Sequence, residues 1–368
     1  MQATPNPARA TSPAAVAPRR SRFLLYVALF CVFVIVYASL QPFTGWSHTA
    51  FSPIAFFTTF SKFFTRSDVS FNVIAYVPLG FALYAALPLS WTPVRRAFAM
   101  LLIVSALSIA LEALQSQLPS RVSSVYDTLA NAAGACIGAI AASWLFSRGD
   151  FVARIRAFRE RYFVHGATGE LNILLLAVWL VAQINPGIPL FGATFHPGFL
   201  NAFDPAVVAI EMAQTTAALV GIALFTDLTL KKRAHGGVAL VMMIATAVAM
   251  KTLAASWLLT PIAWEAWLRP GHALGIALGA VALLILFWLP RLAKSIVAGI
   301  ALLSSVLIPL LLPDLATLRA PVSLFDWHYG QLLNLNGLTR TIVTLWPFVA
   351  TTVLLLRFGG DAPASKMG

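Results

Sequence analysis

Two carboxylates, a guanidinium and two amides fall within one stretch, LEALQSQLPSRVSSVYDTLANAAGACIG, as Glu112, Gln115, Arg121, Asp127 and Asn131. Two chemistries suit that set. Paired carboxylates can divide general-acid and general-base work when their surroundings separate their pKa values. Alternatively, carboxylates and a guanidinium can hold the polar head of a ligand. No activated Ser, Cys or His nucleophile pattern accompanies the acids, so no residue is assigned a catalytic role and the binding reading leads. Almost everything around the five is hydrocarbon, and an ionisable side chain within a membrane segment costs roughly 2.5 to 3.5 kcal/mol on insertion scales. The competing reading is that these groups only hydrogen-bond neighbouring helices and fix their register.

Their spacing is helical. Ser105, Ser108, Glu112 and Gln115 recur at steps of three, four and three, which places them on one face. Ser124, Asp127, Asn131, Gly134 and Gly138 repeat that phase in the next apolar segment, and the two glycines would let another helix approach closely. Upstream, Asn72, Tyr76, Gly80 and Tyr84 form an i, i+4 row around Pro78. Downstream, Glu211 and Gln214 echo Glu112 and Gln115, and Lys251 lies deep enough in its span that it must snorkel or pair, with Glu211 the nearest acid in sequence order. Gly271, Gly275 and Gly279 read as a packing seam.

The elements that carry these residues follow from composition. A chain of 368 residues that is 59% hydrophobic and 10% charged, with mean hydropathy +0.83, is an all-α polytopic membrane bundle. The stretch FLLYVALFCVFVIVYASL, 23–40, is the first of about ten transmembrane helices. Nine more are expected near 71–88, 98–117, 124–146, 171–188, 205–226, 238–258, 272–289, 296–312 and 341–357. Eighteen of the 25 Lys and Arg fall in the segments on one side, six on the other, and Lys251 inside a span. The positive-inside rule then places both termini in the cytoplasm. The net charge of +12 is accounted for by topology, with no nucleic-acid partner. In that orientation Asn72, Glu112, Asp127, Glu211 and Lys251 all fall in the outer half of the membrane, as an outward-facing polar pocket capped by Arg121.

Five regions are expected: a disordered cytoplasmic tail, 1–22; a four-helix membrane module, 23–147; a basic cytoplasmic linker, 148–168; a six-helix membrane module, 169–357; and a cytoplasmic tail, 358–368. The linker carries SRGDFVARIRAFRERYF, whose pattern is that of an amphipathic helix lying on anionic lipid. Cys31 and Cys136 lie within apolar segments, and the six histidines form no pair at ligand spacing. No Gly-rich phosphate loop is present, so neither metal nor cofactor is expected.

Three ordered motifs, VYASLQPFTGW, DVSFNVIAYVPLGF and LEALQSQLPSRVSSVYDTLANAAGACIGA, resemble the VanZ-like family over about residues 23–146. The family's polar signature falls on Asp68, Asn72, Pro78, Gly80, Glu112, Gln115, Arg121, Asp127 and Asn131. The resemblance implies a multi-pass protein of the bacterial cytoplasmic membrane and cell envelope. The family's namesake is associated with low-level resistance to teicoplanin, a lipid-bearing glycopeptide. The expected binding residues are Asn72, Glu112, Gln115, Arg121, Asp127, Asn131, Glu211 and Lys251, and the expected partners are membrane lipids and an amphiphile such as a lipid, a lipid-linked sugar or a lipoglycopeptide. Proton-coupled transport through Glu112, Glu211 and Lys251 is one alternative function, and a scaffold without substrate is another.

Overall fold

The computed structural model describes residues 22–41, 43–47, 52, 56, 66–119, 123–185, 205–231, 236–258, 270–311 and 330–360. Among them the regular structure is helical: α1 (Phe23–Leu40), α2 (Arg66–Ala86), α3 (Pro93–Gln115), α4 (Val125–Ser147), α5 (Gly149–Tyr162), α6 (Ala167–Ala182), α7 (Pro205–Thr229), α8 (Gly236–Leu258), α9 (Pro270–Leu286), α10 (Arg291–Leu311) and α11 (Gly330–Gly360). Eight are long and apolar enough to cross a membrane. The other two expected spans, α6 and α9, are shorter apolar helices of 16 and 17 residues. The protein is thus an all-α, multi-pass helical bundle.

Bilayer solvation reverses the usual sorting of residues. Leu102, Ile140, Val241, Ile285 and Trp288 are all largely exposed, so apolar side chains face outward as well as inward. Burial is therefore decided by fit between helices. Glycine rows provide that fit, since a methyl on Gly80 would collide with the Ala135 backbone, one on Gly134 with Val73 and one on Gly138 with Val77. α2 and α4 consequently meet backbone to backbone. The Gly271, Gly275, Gly279 row does the same for α9 against Glu211, Thr215 and Leu219 of α7.

Two apolar clusters result. One gathers α1 to α4 around Leu79, Met100 and Val104, and the other gathers α6 to α11 around Leu224, Phe225 and Trp346. Helix α7 runs through the second, with Phe225 edge-on to Trp346 at 5.5 Å. α1 packs on α2 and also reaches α6 and α11, so it touches both clusters.

Helix limits follow local chemistry more than hydropathy. Thr92 caps α3 by accepting the Arg95 backbone N–H at 3.3 Å, with Pro93 in the first turn where its missing donor is harmless. Expected boundaries trimmed such polar first turns from the apolar spans; α2, α3 and α10 begin earlier than expected for this reason. The connection after α5 is tied down rather than loose. A Phe163–Leu230 bridge, the Val164 N–H donating to Thr229 O at 3.0 Å and the Lys231 N–H donating to Tyr162 O at 2.9 Å bind it to the end of α7.

Candidate functional site

Glu112 is almost fully buried in the last turns of α3, and one carboxylate oxygen accepts the Ser124 backbone N–H at 2.9 Å. Ser124 is the N-cap of α4, its own hydroxyl accepting the Tyr126 N–H at 3.2 Å. In a capping box the acid three residues into the helix takes the cap N–H. Here Asp127 occupies that first turn, but the acid of the preceding helix accepts the bond. Asp127 is half-buried and lies close to Glu112, so two acids converge on the positive end of α4.

One turn deeper, the Asn131 amide donates to Ser108 Oγ at 2.9 Å, and Ser108 donates to Thr128 Oγ1 at 3.3 Å. Asn131 Oδ1 is buried with no partner among the described residues. Tyr76 lies beside Ser108 and Glu112, and Asn72 is half-buried one turn before it. Gln115 donates to Ser39 O of α1 at 3.0 Å. The structure thus brings Glu112, Asp127 and Asn131 into one cluster, with Gln115 at its edge. Arg121 and the side chain of Asp68 lie outside the described residues.

The rear residues form a second centre. His272 in α9 faces Thr215 with Nδ1 to Oγ1 at 2.9 Å, and its Nε2 lies 3.8 Å from Glu211 Oε1. A carboxylate, an imidazole and a hydroxyl in line are the ingredients of a nucleophile relay. Yet Thr215 and His272 are both 0% exposed beneath the α9 glycine row, so no substrate carbonyl can reach the hydroxyl. The trio can hold a proton rather than attack. His272 carried no signal in the sequence beyond its place beside Gly271 in the row.

Lys251 was expected to snorkel or to pair with Glu211. It is 0% exposed, and its ammonium donates to Asn185 O at 3.1 Å, while Glu211 Oε1 faces His272 Nε2 at 3.8 Å. Snorkelling is excluded because α8 places the side chain against the end of α6. Asn185 in turn donates to Thr339 Oγ1 of α11 at 2.7 Å.

A polar seam runs from the edge of the front cluster to Lys251. From Gln115 it passes to Ser39 in α1, whose neighbours Tyr37 and Gln41 meet α11: Thr341 donates to the Tyr37 hydroxyl at 3.0 Å, and Gln41 packs on Gly337. Thr339 lies between those α11 positions and leads through Asn185 to Lys251. Beside the seam, a narrow cleft of about 60 Å³ opens between α6, α7, α10 and α11. Its walls are mainly apolar, including Trp179, Ile222, Leu302 and Ile342. Gln214 lines it and donates to Ser305 O at 3.3 Å.

Buried charge is not confined to this end, which corrects the expectation that every intramembrane ionisable group shares one half of the membrane. At the opposite end Lys294 donates to Asp227 at 2.5 Å, both nearly fully buried. Glu170, at the start of α6, accepts from Arg159 of α5 at 2.8 Å and from the Arg22 backbone N–H at 2.9 Å. Arg96 stacks on Tyr84 and donates to its carbonyl at 2.7 Å, capping the end of α2. Lys294 precedes the expected span 296–312, and Asp227 and Glu170 sit just outside the expected spans 205–226 and 171–188, so hydropathy places all three in loops. Their sequence signal was an acid immediately beside an apolar span with basic residues across the loop. Among the described residues, no three His, Cys, Asp or Glu side chains converge as metal ligands.

Residues 23–146 match the family model described as VanZ/LLP1. No curated protein and no solved structure matches the chain.

Proposed function

With residues 23–146 forming a VanZ-like module in a multi-pass membrane protein, we propose that the chain binds or moves an amphiphile at the end of the bundle that carries Glu112 and Lys251. The observation that carries this reading is the polar seam from Gln115 to Lys251 running beside an apolar-walled cleft. A molecule with a polar head and a hydrocarbon tail matches that division. The tail would enter the cleft, and Asn72, Glu112, Gln115, Arg121, Asp127, Asn131, Glu211 and Lys251 would supply head-group contacts. We assign this end to the outer face of a bacterial cytoplasmic membrane, with both termini inside, and treat 23–147 and 169–357 as modules joined by a basic linker. Contribution to lipoglycopeptide tolerance belongs to the same proposal.

Native mass spectrometry of the purified chain tests it. The wild type is expected to retain an amphiphile from the host membrane, Ala218→Trp to lose it by filling the cleft, and Glu112→Gln to retain less. Equal retention by wild type and Ala218→Trp would overturn the reading in favour of a scaffold.

A second reading, proton-coupled transport, draws on the Glu211–His272 pair and the Asp227–Lys294 pair near opposite ends of α7, about 24 Å apart at 1.5 Å per residue. Uptake into proteoliposomes that ignores an imposed pH gradient removes it.

A further inference from the structure

Among the described residues, the linker helix α5 presents a largely exposed apolar face. Its apolar positions 151, 155, 158 and 162 recur at steps of four, three and four, which is one stripe of a helix. Ile155 and Phe158 on that stripe are 50% and 57% exposed. Arg154, Arg156 and Arg161 flank it and are also exposed. No carboxylate of the described residues lies within 4 Å of their guanidinium groups. α5 joins the end of one apolar span, α4, to the start of another apolar helix, α6, the position in the chain at which a bilayer surface is expected. An apolar stripe flanked by arginines that meet no described carboxylate fits one occupant there, a surface of anionic lipid head groups.

The remaining arginine of that helix does something different. Arg159 reaches Glu170, whose second oxygen accepts the backbone N–H of Arg22, the N-cap of α1. One buried carboxylate therefore joins the lipid-facing helix, the start of α6 and the start of α1. At its far end α1 carries Tyr37, Ser39 and Gln41, which make the polar seam to α3 and α11. We propose that α5 binds anionic lipid at the membrane surface and that Glu170 transmits this docking to α1, so that lipid charge on one face sets the packing of the seam at the other. This does not depend on the amphiphile reading, since neither the cleft nor its ligand enters the argument.

Hydrogen exchange on the full chain in lipid nanodiscs tests both parts. Replacing phosphatidylcholine with a phosphatidylcholine and phosphatidylglycerol mixture is expected to slow exchange in 151–161 at least about fivefold, the factor one basic side chain at an anionic surface supplies. Amides 22–26 should slow with it. In the triple variant Arg154→Gln, Arg156→Gln, Arg161→Gln, the lipid dependence of 151–161 should vanish while exchange in α7 and α10 reports an intact fold. In Glu170→Gln, 151–161 should still respond and 22–26 should not. Equal exchange of 151–161 in the two lipids, or an effect reproduced by inorganic phosphate in pure phosphatidylcholine discs, overturns the lipid surface. A response of 151–161 without one at 22–26 in the wild type overturns the coupling.

Discussion

A carboxylate buried in a membrane bundle must find donors, and Glu112 and Glu170 each find one at the start of a helix that is not their own. A helix N-terminus offers unpaired N–H groups and the positive end of the macrodipole, so an acid from a neighbour stabilises both partners. Glu112 is therefore explained in part as structure, and its charge and its acceptor atom can be separated. Glu112→Gln keeps an oxygen for the Ser124 N–H and should leave thermal unfolding in detergent little changed. Glu112→Ala leaves that buried donor unmet and should cost about 1 to 3 kcal/mol. Amphiphile retention lost in the Gln variant while stability is kept would assign the charge to binding. A buried ion pair behaves more severely: Lys294→Ala strands Asp227 and should cost about 3 to 5 kcal/mol, seen as loss of the monodisperse peak in size-exclusion chromatography. Replacing both with apolar residues of similar volume should recover much of it.

Between helices, small residues decide which pairs touch. In lipid there is no hydrophobic drive to bring two apolar helices together, so association rests on close packing and interhelical hydrogen bonds. α2 and α4 satisfy both, through Gly80, Gly134 and Gly138 and through the Ser108, Thr128 and Asn131 chain that α3 adds. Gly138→Ala places a methyl against Val77 O and Phe81 N and is expected to destabilise by about 1 to 3 kcal/mol. Gly149→Ala meets nothing within 4 Å and should be neutral in the same unfolding assay. The same geometry explains why Glu211 is inaccessible, since the α9 glycine row sits directly on it. Any proton exchange at Glu211 and His272 would require α9 to shift from α7.

For the whole molecule, α1 is the element shared by both apolar clusters, held at one end by Glu170 and at the other by Gln115, Thr341 and Gly337. The charge bias of the loops predicts which end faces the cytoplasm. Green fluorescent protein fused to either terminus should therefore fluoresce, and alkaline phosphatase inserted near residue 120 should be active. The opposite pattern would turn the seam and cleft toward the cytoplasm and exchange the leaflet assigned to α5.

By itself the sequence determined the class, the positions of the spans and the helical face of each polar row, because a bilayer demands long apolar segments and 3.6-residue periodicity assigns faces. It also marked the stretch 23–146 that matches the VanZ/LLP1 family model and the amphipathic pattern of α5. It could not determine partners across the bundle. Glu211 meets His272 rather than Lys251, Lys251 meets Asn185, and Asp227 meets Lys294 some 67 residues away. Those pairings depend on which helices lie side by side, and small residues distributed over distant segments settle that only once the chain has packed. Burial at the helix ends escaped the sequence for the same reason: hydropathy trims polar first and last turns from the apolar spans, while tertiary contacts bury Glu170, Asp227 and Lys294.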